Sequence, residues 1–361
     1  ISTQWPSDGL RPLWKQPLGA GYASFVAANG RAFTIEQRGS EEVVSAYDIA
    51  TGRALWTHAW KRSFGGSKAG PRATPAWHDG IVYALGATGE LRALAEEDGR
   101  QIWRTDILED ADASNLDWGM AASPLVVDNT VVVLPGGSDG KSVIAYDRRT
   151  GKQVWSALDD KTSFSSPTLA TIGGVRQIVV LTQSRIVGIT PDRGELLWEF
   201  PWPYQQNSPQ PLIIGDRVFV STSSGGGAVM IQLARDGARF TARELWRTNR
   251  MKNNFTSSVH HDGFIYGLDE SILACIDAST GDLKWKGGRY GYGQVMLADG
   301  HLIVVTEDGE LALVRAAPQS HQEVVRFAAI EGQTYNHPAI VDGMLLVRNG
   351  AEMAAFDLRV K

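Results

Sequence analysis

AYDIATGRALW, Ala46 to Trp56, decides the fold: an apolar strand end, an acidic turn containing Gly52, and a Trp four residues beyond that glycine. The phrase returns as ALAEEDGRQIW (Ala93 to Trp103), AYDRRTGKQVW (Ala145 to Trp155), GITPDRGELLW (Gly188 to Trp198) and CIDASTGDLKW (Cys275 to Trp285). Asp, Thr and Gly between two short apolar runs mark a hairpin turn, in which Gly supplies a positive φ. A Trp at a fixed offset after each turn puts a large ring at the same place in each structural unit. The chain is therefore read first as an array of repeats.

Working outward, the Trp position recurs at Trp14, Trp56, Trp103, Trp155, Trp198, Trp246 and Trp285, with Phe327 where an eighth is due. The spacing, roughly 40 to 50 residues, is that of a four-stranded propeller blade. A second count uses the tight turn between the first two strands of each unit. It finds Asn29-Gly30, Asp79-Gly80, Asp128-Asn129, Gly173-Gly174, Gly215-Asp216, Asp262-Gly263, Asp299-Gly300 and Asp342-Gly343, again eight. Such dipeptides between apolar runs are hairpin signals.

Each unit reads as strand A, a tight turn, strand B, a variable loop, strand C, the acidic Gly turn and the Trp-bearing strand D. Strand A often opens on Ser/Thr-Pro, as at Thr74-Pro75, Ser123-Pro124 and Ser166-Pro167, where no ladder donor is needed. The last unit stops after AFDLR (Ala355 to Arg359) without a strand D, while RPLWK (Arg11 to Lys15) carries an orphan strand with the missing Trp. Pairing the two ends removes exposed sheet edges. The expectation is an all-β chain: one eight-bladed β-propeller domain over residues 1–361, with four-stranded antiparallel blades and the N-terminal strand completing the last. The fifth unit has a longer C–D hairpin around Gly237, and the seventh replaces the Gly turn by AAPQSHQ (Ala316 to Gln322). Those two blades should have irregular outer edges.

Net charge is −5, which gives no general pull toward nucleic acid or anionic membrane. No apolar run approaches the roughly 20 residues of a membrane-spanning helix. Cys275 stands alone, which excludes an intrachain disulfide and a Cys-rich metal site, and its place in a repeat phrase reads as a buried structural thiol. The numbering opens at Ile1 rather than Met, from which a removed signal peptide and a periplasmic or secreted location are expected. Low cysteine usage is equally compatible with the cytoplasm. A monomer is expected.

On its repeat phrases the chain resembles the PQQ-like β-propeller repeat family. That family's tryptophan-docking phrase is an acidic strand end, Thr-Gly, three residues and Trp, and the resemblance covers nearly the whole chain. It is specific for fold and poor for function, because these Trp residues hold blades together. It implies one of two activities. The first is that of a periplasmic scaffold of the outer-membrane barrel assembly machine. The second is that of a quinoprotein dehydrogenase, in which the quinone lies against a ring made by adjacent cysteines. This chain is shorter than such dehydrogenases and has one Cys. The scaffold branch is anchored through a lipidated N-terminal Cys, and Ile1 to Trp14 contains none.

In a propeller the D–A and B–C loops share one face around the channel mouth, where a ligand is expected. The residues just before each strand A include Tyr22, Arg72, Trp118, Phe164, Gln206, Asn207, Asn253 to Phe255, Arg289 to Tyr292, and Tyr335 to His337. A ring of Arg72, Trp118, Asn207, Asn254, Tyr292, Asn336 and His337 would offer π-faces, amides and a cation to a planar or anionic small molecule. Equally, these groups could cap strand ends and plug the channel. His337 is the candidate acid–base residue. The longest D–A loop, Thr105 to Ala122, reads as a solvated acidic loop. Asp110-Ala111-Asp112 begins like an EF-hand but lacks the Gly and Glu that calcium coordination needs later in that motif. Asp117, beside Trp118, is the weak metal candidate. Gly136 to Gly140 fits G-x-S-x-G but lies in a β–β loop rather than a strand-to-helix elbow.

With no complete catalytic set, the sequence points to a non-catalytic binding or scaffold propeller that takes a protein partner or a small-molecule ligand at the mouth. The alternative is a quinone- or metal-dependent oxidoreductase acting there. No cofactor is assigned; PQQ and calcium are what the resemblance would bring, without a complete motif for either.

Overall fold

Each repeat folds as a four-stranded antiparallel sheet, and in seven of the eight the spatial order of the strands is their order in the chain. In blade 1 the strands are Val26–Ala28, Arg31–Arg38, Glu41–Asp48 and Ala54–Trp60. Blades 2 to 7 occupy 76–106, 125–157, 168–201, 212–248, 259–289 and 294–328. Blade 8 takes its first three strands from 339–357 and its fourth from Pro12–Pro17, which pairs with Glu352–Asp357. The fold class is the eight-bladed β-propeller expected from the repeats. This computed structural model describes residues 1–360 except Ser67 and Ala238. The chain divides into two compact units, one of residues 16–170 and 176–203, the other of 1–15, 171–175 and 204 to the C-terminus. They are called here the N-terminal and C-terminal units.

The turn chemistry is that of the dipeptides. Asn29, Asp79, Asp128, Asp262, Asp299 and Asp342 all take φ between +45° and +53°, the left-handed conformation that Asn and Asp tolerate and that hairpin turns require. A β-bulge interrupts the C–D pairing just before the acidic turn, between Ala46 and Tyr47, Ala93 and Leu94, Ala145 and Tyr146, Gly188 and Ile189, and Cys275 and Ile276. It leaves Ala46, Ala93, Ala145, Gly188 and Cys275 directly opposite the five Trp residues. The phrase opens on a small residue because a Trp ring lies across from it. At Gly188 a Cβ would stand 2.1 Å from the Trp198 indole nitrogen.

The same rings join neighbouring blades within each unit. In the N-terminal unit Trp56 Nε1 donates to Glu96 O (2.8 Å), Trp103 Nε1 to Arg148 O (3.0 Å) and Trp155 Nε1 to Pro191 O (3.2 Å). In the C-terminal unit Trp246 donates to Ala278 O (3.2 Å) and Trp285 to Ala317 O (2.8 Å). Each accepting carbonyl belongs to the acidic turn, or its replacement, in the following blade. The glycine of that turn lies flat on the ring: a Cβ at Gly99, Gly151, Gly194 or Gly281 would sit 2.5–2.9 Å from atoms of Trp56, Trp103, Trp155 or Trp246. The glycine is therefore required twice, for its φ and for its lack of a side chain. Trp198 departs from the pattern and turns its N–H to Gln177 Oε1 in its own blade. Apolar layers between successive blades complete the packing, as with Tyr83, Leu91, Val131 and Ile144 between blades 2 and 3.

Blade 8 shows how a split repeat keeps this joint. Gly9, at φ +87°, lies against Phe327 so closely that a Cβ would be 2.2 Å from its ring, and Trp5 packs edge-on to the same ring at 6.0 Å. Ser2 N donates to Leu358 O at 2.6 Å, running the N-terminal segment beside the end of the last C strand. Ser7-Asp8-Gly9 thus stands where the missing acidic Gly turn is due, with Trp14 five residues after the glycine rather than four. The irregular edges appear where expected: the fifth blade ends in two ten-residue strands, Gly227–Asp236 and Arg239–Thr248. In the seventh, His321 packs edge-on against Trp285 at 5.6 Å.

The acidic D–A loop of blade 2 is exposed to solvent at Glu109, Asp110, Asp112 and Asp117, as expected. Two of its carboxylates also order the loop: Asp106 caps the short helix Ile107–Ala111, and Asp110 Oδ2 accepts from Thr105 Oγ1 (2.6 Å) and Tyr146 Oη (2.7 Å). Asp at an N-cap satisfies helix donors that would otherwise be orphaned, and Asp110 accepts from the hydroxyl of buried Tyr146.

Candidate functional site

The D–A and B–C connections of each blade leave the sheet at the same end, because the strands alternate in direction. At that end the strand-A openings are tied together by hydroxyls. Ser24 N donates to Thr74 Oγ1 (2.9 Å), Thr74 N to Ser123 Oγ (3.0 Å) and Ser123 N to Ser166 Oγ (2.9 Å). In the C-terminal unit Gln210 N donates to Ser257 Oγ (3.0 Å). The Ser/Thr-Pro openings are therefore cross-blade acceptors, a role the sequence signalled only as strand starts.

Most of the polar candidates are consumed by the fold. Arg72 gives Nη1 to Gly70 O (2.5 Å) and Nη2 to Lys68 O (2.6 Å), with its guanidinium 5.2 Å from the Tyr22 ring centroid and 4.8 Å from that of Phe64. It is a stacked clamp on its own loop. Asn207 is fully buried and caps Tyr204 O through Nδ2. Asn253 is buried likewise, accepting from Ser221 and Ser258 hydroxyls and donating to Leu268 O. Its neighbour Asn254 is half-buried. Asn336 is buried, and His337 Nδ1 lies 2.8 Å from Pro338 O. Burial holds the His337 pKa below its ordinary value, against the pull of Pro338 and Val295 carbonyls, which favours neutral imidazole at pH 7.

Aromatic side chains are exposed at this end beside polar ones such as Asp117, Gln206 and Gln333. In the N-terminal unit Trp118 is 44% exposed, with Lys68 Nζ 5.5 Å from its ring centroid. Asp117 is exposed beside it, in a turn closed by Gly119 N on Leu116 O. In the C-terminal unit Phe255 (37% exposed) meets Tyr292 (38%) at 6.1 Å and Tyr335 at 5.1 Å. Behind them stands Glu307, in the B–C turn of blade 7. Its Oε1 accepts from Tyr335 Oη (2.7 Å) and Gln333 Nε2 (3.3 Å), and its Oε2 from Tyr292 N (3.0 Å). Sequence reasoning missed Glu307; the acidic turn Glu307-Asp308-Gly309 facing an aromatic D–A loop was the available signal.

A polar rim lies at this same end on blades 1 and 2, on their B–C turns and the D–A connection between them. Ser40, Lys61, Arg62, Ser63 and Thr88 line a cavity of about 580 Å³. Two carboxyls near that rim are buried with opposite outcomes. For Glu36, burial is outweighed by hydrogen bonds from Arg38, Gly19 N–H and Ser45, and its pKa falls below the usual range. For Glu42, burial wins over the Ala87 N–H and Trp60 indole, and its pKa rises.

A family model described as outer membrane protein assembly factor BamB matches residues 40–287. The chain belongs to that family. A BamB-family relative from Burkholderia pseudomallei is 24% identical over 226 residues, covering 57% of this chain and 52% of its own. The match thus spans about half the length of that relative. A quinohemoprotein alcohol dehydrogenase, ADH-IIG of Pseudomonas putida, is 29% identical over 41% of this chain and 21% of its own. Among solved structures, BamB from Moraxella catarrhalis superposes with a TM-score of 0.67 at 15% identity, covering 98% of each chain. At that identity the likeness speaks for the fold alone.

The donor set does not fit PQQ with calcium. Cys275 is fully buried in a strand opposite Trp285, its thiol pushed up to about 11 by burial, and it has no second cysteine beside it. Among the described residues no three or more His, Cys, Asp or Glu side chains are grouped to hold a metal ion. Asp117 stands alone in that respect.

Proposed function

We propose that this chain is a non-catalytic scaffold propeller that docks a protein partner at the D–A end of its C-terminal unit. One observation carries the reading. Of the polar groups there, Asn207, Asn253 and Asn336 are buried in the fold and His337 is half-buried, while Phe255 and Tyr292 are left more than a third exposed. Exposed aromatics on a rigid frame are what protein interfaces use as anchors. The family description, an outer membrane protein assembly factor, supplies the partner class: a component of the machinery that assembles outer-membrane proteins, with the chain working in the periplasm. The tryptophan-docking phrase then serves the scaffold, keeping the blades fixed while the loops between them carry recognition.

A photo-crosslinking residue in place of Tyr292 tests this in cells. The expected product is a crosslink to a protein of outer-membrane assembly, identified by mass spectrometry and absent when the label stands at exposed Leu283 on an outer strand. The match to the quinohemoprotein dehydrogenase supports a second reading, an oxidoreductase. Purified protein given PQQ, Ca²⁺, an alcohol and a dye acceptor decides between them: dye reduction at stoichiometric PQQ would overturn the scaffold reading.

A further inference from the structure

We infer that the cavity between blades 1 and 2 is a binding site for a phosphate monoester group. It lies in the N-terminal unit and stands independently of the docking surface proposed above. Its walls come from three separate connections. Ser40 belongs to the B–C turn of blade 1, Lys61, Arg62 and Ser63 to the D–A connection that follows, and Thr88 to the B–C turn of blade 2. The volume of about 580 Å³ falls within the roughly 300–1,000 Å³ of small-molecule sites.

The walls are fixed by bonds that leave the lining side chains out. Phe64 N donates to Gln37 Oε1 (2.9 Å) and Arg62 N to Trp60 O (2.9 Å), which ties the D–A connection to blade 1. Ala87 N donates to Glu42 Oε1 (2.7 Å), and Ala87 O accepts from Met120 N (2.9 Å) and Asn115 Nδ2 (3.0 Å), which holds the turn that carries Thr88. Among the described residues no hydrogen bond or ion pair occupies the side chains of Ser40, Lys61 or Ser63. Thr88 Oγ1 is buried and has no hydrogen-bond partner either, an arrangement that costs stability until a partner arrives. Arg62 brings Nε only to 3.8 Å from Glu90 Oε2, and that carboxylate is already held by Arg92 Nη2 (2.5 Å) and Arg104 Nη1 (3.1 Å).

The lining thus presents two cations and three hydroxyls without a carboxylate. Other groups answer the carboxyls nearby: Arg38 holds Glu36 at 2.7 Å and stands opposite Glu41 in the ladder, and burial raises the Glu42 pKa, which favours its neutral form. A phosphate monoester carries a charge of about −1.5 to −2 at pH 7 and three strong acceptor oxygens. A carboxylate brings one charge and two oxygens. Two adjacent cations with three hydroxyl donors match the dianion, since charge-assisted bonds from Lys61 and Arg62 and neutral ones from Ser40, Ser63 and Thr88 can share its oxygens.

The test titrates the whole isotope-labelled chain with glycerol 3-phosphate and with dimethyl phosphate, a diester of single charge, following the Ser63 and Thr88 amide resonances. A second arm measures co-sedimentation with phosphatidylcholine vesicles that carry phosphatidic acid, whose head is the same monoester. The expected result is a saturable shift with glycerol 3-phosphate, about tenfold weaker with dimethyl phosphate. Lys61→Met and Thr88→Val should each weaken binding severalfold with the circular-dichroism melt unchanged. Arg53→Met, which removes an exposed cation on the C–D turn of blade 1, should leave it as it is. Thr88→Val keeps size and charge, so attraction of an anion to a basic surface predicts no change there. Vesicle binding lost in Lys61→Met and Thr88→Val identifies the source as a lipid head, and saturation by glycerol 3-phosphate without vesicle binding identifies a soluble ester. Binding in neither arm, equal binding of the two soluble phosphates, or binding that survives intact in folded Thr88→Val would overturn the inference.

Discussion

Gly30 and Gly99 hold the same backbone conformation, φ +73° and +72°, and differ in what lies against them. Nothing stands within 4 Å of a Cβ built at Gly30, whereas one built at Gly99 would be 2.5 Å from Trp56 Cε3 and 2.8 Å from Cδ2. Alanine at either position must adopt the left-handed region, which costs about 1–2 kcal/mol. At Gly99 the methyl must also displace the indole that donates to Glu96 O, and overpacking of that kind adds about 1–3 kcal/mol. Gly30→Ala should therefore lose about 1–2 kcal/mol and Gly99→Ala about 2–5 kcal/mol. Urea unfolding measures both, the midpoint moving while the slope stays constant. Combining Gly99→Ala with Trp56→Leu should recover part of the loss, because the two residues occupy one contact. Equal losses for the two alanine variants would refute the reasoning, since the glycine would then be needed only for its φ.

Two further outcomes follow from the same end of the N-terminal unit. Burial holds the Glu42 carboxyl above its ordinary pKa, so the folded state grips that proton more tightly than the unfolded chain does. Its contribution to stability is complete below the unfolded pKa and is lost as pH rises through the folded one. Glu42→Gln should raise stability at pH 8 by about 1 kcal/mol and leave it nearly unchanged at pH 4, as read by thermal melts at the two pH values. A loss at pH 8 would mean that the carboxylate is held charged. Ser123→Ala removes the acceptor of Thr74 N–H; a loss of about 1 kcal/mol and faster hydrogen exchange at the Thr74 amide are expected, and unchanged exchange would remove the cross-blade hydroxyls from the account of stability.

The blade count was legible because a repeat states its own period: turn dipeptides and Trp positions each gave eight without reference to any contact. The candidate site was legible only in outline. Trp118, Asn254 and Tyr292 were placed at the D–A end by counting, and the structure leaves the two aromatics exposed there. Arg72 and Asn207 read equally well as ligand groups or as caps, because a sequence shows a side chain's donors but not the carbonyls within their reach. Glu307 escaped notice because its partners lie 15 and 28 residues away, on the D–A connections before and after its blade.

The sequence by itself determined the all-β architecture, the eight blades, the two irregular hairpins and the strand that completes blade 8. Those properties follow from local rules, in which period, turn chemistry and a single orphan strand admit few arrangements. Only the tertiary structure decided why the phrase has the form it has. The small residue at Ala46 or Gly188 is set by the Trp across the ladder, and the glycine at Gly99 or Gly151 by the Trp of the blade before it. It also decided that Gly9 restores the turn that the C-terminus lacks. Close packing acts between residues far apart in the chain, so its requirements appear in a sequence as repetition, and their cause appears only when the blades are set side by side.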